Sequence, residues 1–227
     1  MQSDASWGQQ FSDIVHARRS IRGFTSDPIP MEVMTAVFGD ALRAPSNCNT
    51  QPWFVHVVTG ERLEALREEL PKRFAAGDIA LDFPFDGQYE GAFQERQHAS
   101  AKVLYDALGI ARDDKAGRNE SLMRNFSFFN APAVAFFTLP AGFGVREACD
   151  LGMFAQTVML GLTARGLGSC PQTALSFLVN VLRPALQIPD EQKLLFGLSF
   201  GYPDDNEPAN TAITDRAPLS DLVTFHS

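Results

Sequence analysis

Three guanidinium groups and a hydroxyl fall within five residues at Arg18-Arg19-Ser20-Ile21-Arg22, just ahead of the turn-forming Ser26-Asp27-Pro28. Planar guanidinium forks bind phosphate oxygens in pairs and stay charged at every relevant pH, so the cluster points to a specific anion; a solvated charge run is the alternative. A second segment, Ala44-Pro45-Ser46-Asn47-Cys48-Asn49-Thr50-Gln51-Pro52-Trp53, sets small and amide side chains between two prolines. A loop of that kind is rigid and rich in donors and acceptors, suited to a flat polar ligand with many heteroatoms, or else it is only a helix-to-strand connection. The third segment is Gly166-Leu167-Gly168-Ser169-Cys170-Pro171-Gln172-Thr173-Ala174, read as a glycine-rich turn presenting backbone amides just before a helix.

Other chemistries lack their residues. GxGxxG, GxxxxGK[ST], GxSxG and HExxH are all absent, and His16, His56, His98 and His226 each stand more than four residues from another His or a Cys. His56 reads as a sheet histidine. Cys170 has no base near it in sequence. Nineteen Lys and Arg against 27 Asp and Glu give a net charge of −8, which argues against a nucleic-acid partner. Three cysteines without CxxC spacing form neither a disulfide framework nor a zinc ribbon, and a reducing cytoplasm is expected. No apolar run approaches the ~18 residues of a membrane span, and the first residues lack the pattern of a signal peptide, so no membrane partner is expected.

These segments need elements to hold them. Val33, Met34, Val37, Phe38, Ala41 and Leu42 recur at helical spacing after Pro30, predicting a helix over 31–43 closed off by Pro45. Apolar, β-branched runs predict strands at 53–58, 133–138 and 194–200. Further helices are predicted over 61–70, over 146–165, where the pattern is apolar almost all round, and over 174–183, ending near Pro184. The order is that of an α+β fold with one central sheet in a single domain, 1–227. Residues 71–130 are punctuated by glycine and proline and read as an excursion from the core, with short helices over a site. The tail, 202–227, ends in Leu219, Leu222, Val223 and Phe225, apolar residues that need a surface to lie on.

Arg18-Arg19-Ser20-Ile21-Arg22-Gly23-Phe24, Ala44-Pro45-Ser46 with Asn49 and Gln51-Pro52-Trp53, Gly201-Tyr202-Pro203, and Arg216-Ala217-Pro218-Leu219 together resemble the FMN-dependent nitroreductase family, in that order and from end to end. The resemblance implies a central, mainly antiparallel sheet flanked by helices, a homodimer with an extensive interface, one FMN per subunit at that interface, and a C-terminal arm wrapping the partner. It implies Arg18, Arg19, Ser20 and Arg216 at the FMN phosphate and ribityl chain. Pro45, Ser46, Asn47, Asn49 and Gln51 reach the flavin, several from the opposite subunit, and Pro171, Gln172, Thr173 and Ala174 lie along the ring, with an amide near Thr173 donating to N5. In many members another basic residue precedes the last arginine by two or three positions; here that stretch is Ile213-Thr214-Asp215, leaving Arg18 and Arg216 with less help or Arg22 to compensate. Asn125 is a further candidate at the pyrimidine edge.

The implied activity is a ping-pong cycle in which NADH or NADPH reduces FMN and a nitroaromatic is taken to the hydroxylamine. The cofactor then carries the hard step, which accounts for the empty motif search. Flavin or quinone reductase, reductive dehalogenase, enoate-type reductase and a non-catalytic flavin redox sensor remain open beside it. The chain holds 19 Phe, and Phe85 and Phe93 are candidates for a lid over flat substrates, alongside Phe74, Phe83, Phe126, Phe128 and Phe129, which suit either lid or core.

Overall fold

The computed structural model describes residues 4–85 and 87–227. In chain order the elements are α1 (Asp4–Ala17), α2 (Met31–Ala41), β1 (Phe54–Thr59), α3 (Gly60–Ala75), α4 (Gly91–Ala107), α5 (Lys115–Met123), β2 (Ala133–Pro140), α6 (Val145–Thr163), β3 (Gly168–Gln172), α7 (Val179–Leu186), β4 (Gln192–Gly201) and α8 (Leu219–Leu222). The four strands form one sheet in the order β1-β2-β4-β3, every neighbouring pair antiparallel.

The uninterrupted apolar run of β2 follows from its central place. A strand covered on both faces alternates between two cores rather than between core and water. Val134 and Phe136 enter one cluster, with Leu63, Leu66 and Leu70 of α3 and Leu182 of α7. Ala133, Ala135, Phe137 and Leu139 enter the other, with Met34 and Val37 of α2 and Leu151, Phe154 and Val158 of α6. Helices therefore cover the sheet on both sides. β1 is an edge strand and is half exposed.

Four sequence expectations are corrected. The predicted glycine-rich turn at 166–174 is mostly strand: Gly168–Gln172 pairs with β4. Gly168 is needed there because a Cβ would lie 2.6 Å from Cγ1 of Ile21, whose amide donates to the Ser169 carbonyl at 2.9 Å. The predicted helix over 174–183 is a tight 3-10 stretch, Thr173–Phe177, followed by α7, which continues through Pro184. The stretch lies flat on β4 because Gly197 leaves room; a Cβ there would meet Leu175 Cδ1 at 2.5 Å. The helix predicted to end at residue 70 runs through Pro71 to Ala75. The excursion contains α4, which is 17 residues long and buries none of its own side chains. Helix α1, with Trp7 and Phe11 exposed, is an element that the sequence reading above does not predict.

Candidate active site

Arg18 sits just past the end of α1, and the chain then runs beside β3, with Ser20 bridging Ser169 in parallel. The tail is brought to the same place by buried Asn210. Its Oδ1 accepts from the Arg22 amide at 2.7 Å, and its Nδ2 donates to the Gly23 carbonyl at 2.8 Å and the Asp204 carbonyl at 2.9 Å. Arg124 adds a second stitch, donating to both carboxylate oxygens of Glu207, at 3.1 and 2.6 Å, and to the Arg22 carbonyl at 2.8 Å. Together these contacts fix the start of the tail against residues 18–24 and carry Arg216 to Arg18.

The result is a pair of like charges. Partial burial, and next the nearby Arg216 guanidinium, hold the pKa of Arg18 below its ordinary value. Among the described residues neither arginine forms an ion pair with a carboxylate. Arg216 donates to the Thr214 carbonyl and hydroxyl and to the Asp215 carbonyl. Close by, the buried Ser169 Oγ has no hydrogen-bond partner. Convergent cations without an ion-paired carboxylate, beside an orphaned hydroxyl, have the chemistry of an anion site.

The loop between α2 and β1 is held at both ends by one face of α6. Asp150 Oδ2, in a buried side chain, accepts from the Asn47 amide at 3.0 Å. Four residues on, Phe154 stacks on Trp53 with ring centroids 4.8 Å apart. Between these anchors the backbone enters the left-handed region at Cys48 (φ 50°), Asn49 (φ 57°) and Gln51 (φ 48°). Asn and small residues tolerate such conformations best, and sites use them to present polar groups. The Gln51 amide donates to Ser46 Oγ at 2.9 Å, while the side chains of Pro45, Asn47, Asn49 and Gln51 remain exposed.

At the far end of β3 lies a cavity of about 420 Å³. Pro171, Gln172, Thr173 and Ser176 form one wall, Leu195 and Phe196 of β4 another, and Phe83, Pro84 and Phe85 close it. A bulge on β4 lets consecutive residues line it: Phe196 pairs with Phe137 and Leu194 with Thr138, which leaves Leu195 as the extra residue. Ser169 and Gln172 are three strand steps apart, about 10 Å. One edge of β3 thus joins the arginine pair to an aromatic-walled cavity.

Two of the sequence's site residues are committed elsewhere in part. The Gln172 side chain is buried in a chain of hydrogen bonds: its Oε1 accepts from Ser199 Oγ at 2.5 Å, and its Nε2 donates to the Asn125 carbonyl at 3.0 Å and Oδ1 at 3.3 Å. Asn125 is thereby tied to β3, and both amides are occupied internally. Arg22 lies near enough to Cys170 for its guanidinium to favour the thiolate. Cys170 is buried and its pKa is pushed up to about 11, by burial first, with Arg22 and a Ser20 hydrogen bond only partly opposing it, so it stays a thiol. His56 is a hydrogen-bonded sheet histidine, 2.8 Å from Gln192 Oε1.

The aromatic candidates divide. Phe126, Phe128 and Phe129 are core, and Phe74 stacks on Phe126 at 4.0 Å between centroids, so none of the four belongs to a lid. Phe85 closes the cavity, half exposed, with its ring 5.7 Å from that of Phe177. Phe93 lies on α4, exposed, and does not line that cavity. Asp150, Ser199, Arg124 and Glu207 are not legible as site residues in the sequence, being single polar residues in a largely apolar helix, a buried strand or irregular segments with no local motif.

With this geometry in view, residues 15–202 match the model of the Nitroreductase family. The chain belongs to that family. It is 43% identical to nitroreductase NfnB of Mycolicibacterium smegmatis over 93% of this chain and 91% of the relative, and 34% identical to a 4-nitrobenzoate reductase of Pseudomonas putida over 95% of each. The crystal structure of the FMN-dependent nitroreductase NfnB from Mycobacterium smegmatis in complex with NADPH superposes with a TM-score of 0.94 at 40% identity, covering 97% of this chain and 100% of that one. The expected family and the α+β fold with its antiparallel sheet are thus both found.

Proposed function

We propose that Arg18, Arg19, Ser20 and Arg216 hold the phosphate end of FMN and that Pro171, Gln172, Thr173 and Ala174 support its ring, with Pro45, Ser46, Asn47, Asn49 and Gln51 supplying polar contacts. The protein is an FMN-dependent, NAD(P)H-oxidising nitroreductase. The observation that carries the site assignment is the Arg18–Arg216 pair, two cations without an ion-paired carboxylate among the described residues, near one end of a strand whose other end opens into an aromatic cavity. When bound, the flavin supplies hydride acceptance from NAD(P)H and two-electron delivery to the nitroarene.

The chain's own part is binding, orientation and exclusion of water. The arginines balance a dianion, whose charge at pH 7 is about −1.5 to −2. Gln172 contributes backbone rather than side chain, because its amide already ties Asn125 and Ser199 together. Phe85, Phe83 and Phe196 give the cavity flat apolar walls suited to a nitroarene.

The active form is a homodimer in this reading. Three unpartnered features support it: the outer edge of β1, an apolar groove of about 620 Å³ between that edge and α2, and a tail whose Phe225 is 83% exposed. Among the described residues no helix is long and apolar enough to cross a membrane.

The test is spectroscopic. Purified protein supplied with FMN is expected to be yellow, to bleach anaerobically with NAD(P)H, and to regain colour on adding 4-nitrobenzoate or another nitroarene. Bleaching without recovery on any nitro, quinone or halogenated acceptor indicates a redox sensor instead; a colourless protein that takes up no flavin overturns the reading.

A further inference from the structure

A second cavity, of about 510 Å³, adjoins the arginine pair, between one face of α4 and the tail. α4 contributes Arg96, Ser100 and Val103, and the tail contributes Thr214, Asp215 and Arg216. Arg96 and Ser100 are four residues apart, so both project from the same side of the helix. Arg96 forms no ion pair among the described residues; its recorded contact is the Phe93 ring, with the guanidinium carbon 5.7 Å from the centroid. α4 buries none of its own side chains, so packing alone does not account for a polar face turned to Arg216.

We infer that Arg96 and Ser100 are binding residues for the phosphate monoester of FMN, meeting the anion beside Arg216 from the α4 side. The inference rests on the flavin reading above and deepens it. The shared cavity carries it furthest. Arg96 and Ser100 line the same space as Arg216, Arg96 is without an ion pair among the described residues, and its positive charge offsets that of Asp215 on the same wall, leaving Arg216 free to face a phosphate monoester. Thr214 already serves by accepting from Arg216 Nη1 at 2.9 Å, which aims that guanidinium and leaves the Ser100 hydroxyl as the donor from the helix side. α4 is thereby a wall of the binding site as well as an excursion from the core.

The experiment is equilibrium dialysis of the full-length protein with FMN and, separately, with riboflavin, which lacks the phosphate. Arg96→Met is expected to weaken FMN about tenfold and leave riboflavin unchanged, Ser100→Ala to weaken FMN by less, and Arg96→Lys to restore part of the loss. Both residues are exposed, on a helix that buries none of its own side chains, and unchanged thermal melting of the flavin-free variants checks that the fold is intact. Equal loss of FMN and riboflavin overturns the inference, because the phosphate is then not what Arg96 senses. Unchanged FMN binding with a raised KM for NADPH but not NADH also overturns it, and moves the arginine to the nicotinamide nucleotide's phosphate. If the unaltered protein binds neither flavin, the functional reading itself falls; if it binds FMN and Arg96→Met binds it equally well, only this inference does.

Discussion

Arg216 lies close enough to Arg18 that, after partial burial, its guanidinium is the next cause lowering the Arg18 pKa. A protein gains nothing from bringing two unpaired cations together unless something negative joins them. Arg18→Ala is therefore expected to weaken FMN retention by roughly 2 to 5 kcal/mol, the range for removing one member of a buried charge pair. The flavin-free variant should melt no lower than the unaltered protein, since repulsion has been relieved. Flavin content after dialysis and a melting curve check both halves.

Gln172 joins Ser199 on β4 to Asn125 at the end of the excursion through three hydrogen bonds. Gln172→Met keeps the length and removes the polar ends, orphaning the Ser199 hydroxyl and the Asn125 carbonyl in a largely buried setting. A loss of about 1 to 3 kcal/mol in urea unfolding is expected. Little change would mean that water replaces the amide.

Phe85 is half exposed at the mouth of the cavity, whereas Phe126 is fully buried. Phe85→Ala should cost less than about 1 kcal/mol of stability while altering kcat/KM ratios among nitroarenes of different width. Phe126→Ala should cost about 3 to 5 kcal/mol. Thermal melting with a substrate panel separates the two; a large stability loss at Phe85 would assign it to the core.

The raised pKa of Cys170 carries a pH signature. The folded thiol keeps its proton up to about 11, whereas the unfolded thiol gives it up near 9. Over that interval the native state binds more protons, so this contribution to stability is fully present below about 9 and is lost as pH rises, at about 1.4 kcal/mol per pH unit. Cys170→Ala should flatten that part of the curve. Iodoacetamide at pH 8 should label exposed Cys48 and Cys149 before Cys170.

The tail from Leu219 to Phe225 exposes apolar side chains that a single chain leaves uncovered. Truncation after Pro218 is expected to shift the dimer toward monomer in light scattering at micromolar concentration, with loss of flavin. A monomeric mass for the full-length protein would contradict the dimer.

What the sequence determined by itself is chiefly what local physics writes into it. The β2 run was legible because a central strand is apolar on both faces, and α2 and α6 because their periodicity matches a helix lying on a core. The order of Arg18–Phe24, Pro45–Trp53 and Arg216–Leu219 along the chain was enough to indicate the family. β3 was not legible: Gly168-Ser169-Cys170-Pro171 has poor strand propensity, and its ladder with β4 makes it a strand. The tertiary structure alone decided that Phe126, Phe128 and Phe129 are core while Phe85 is not, that Asp150 clamps the Asn47 loop, and that Asn210 ties the tail to the backbone of Arg22 and Gly23. Each of these depends on partners far away in sequence. No local pattern encodes them, because long-range contacts are selected by the packing of whole elements rather than by neighbouring residues.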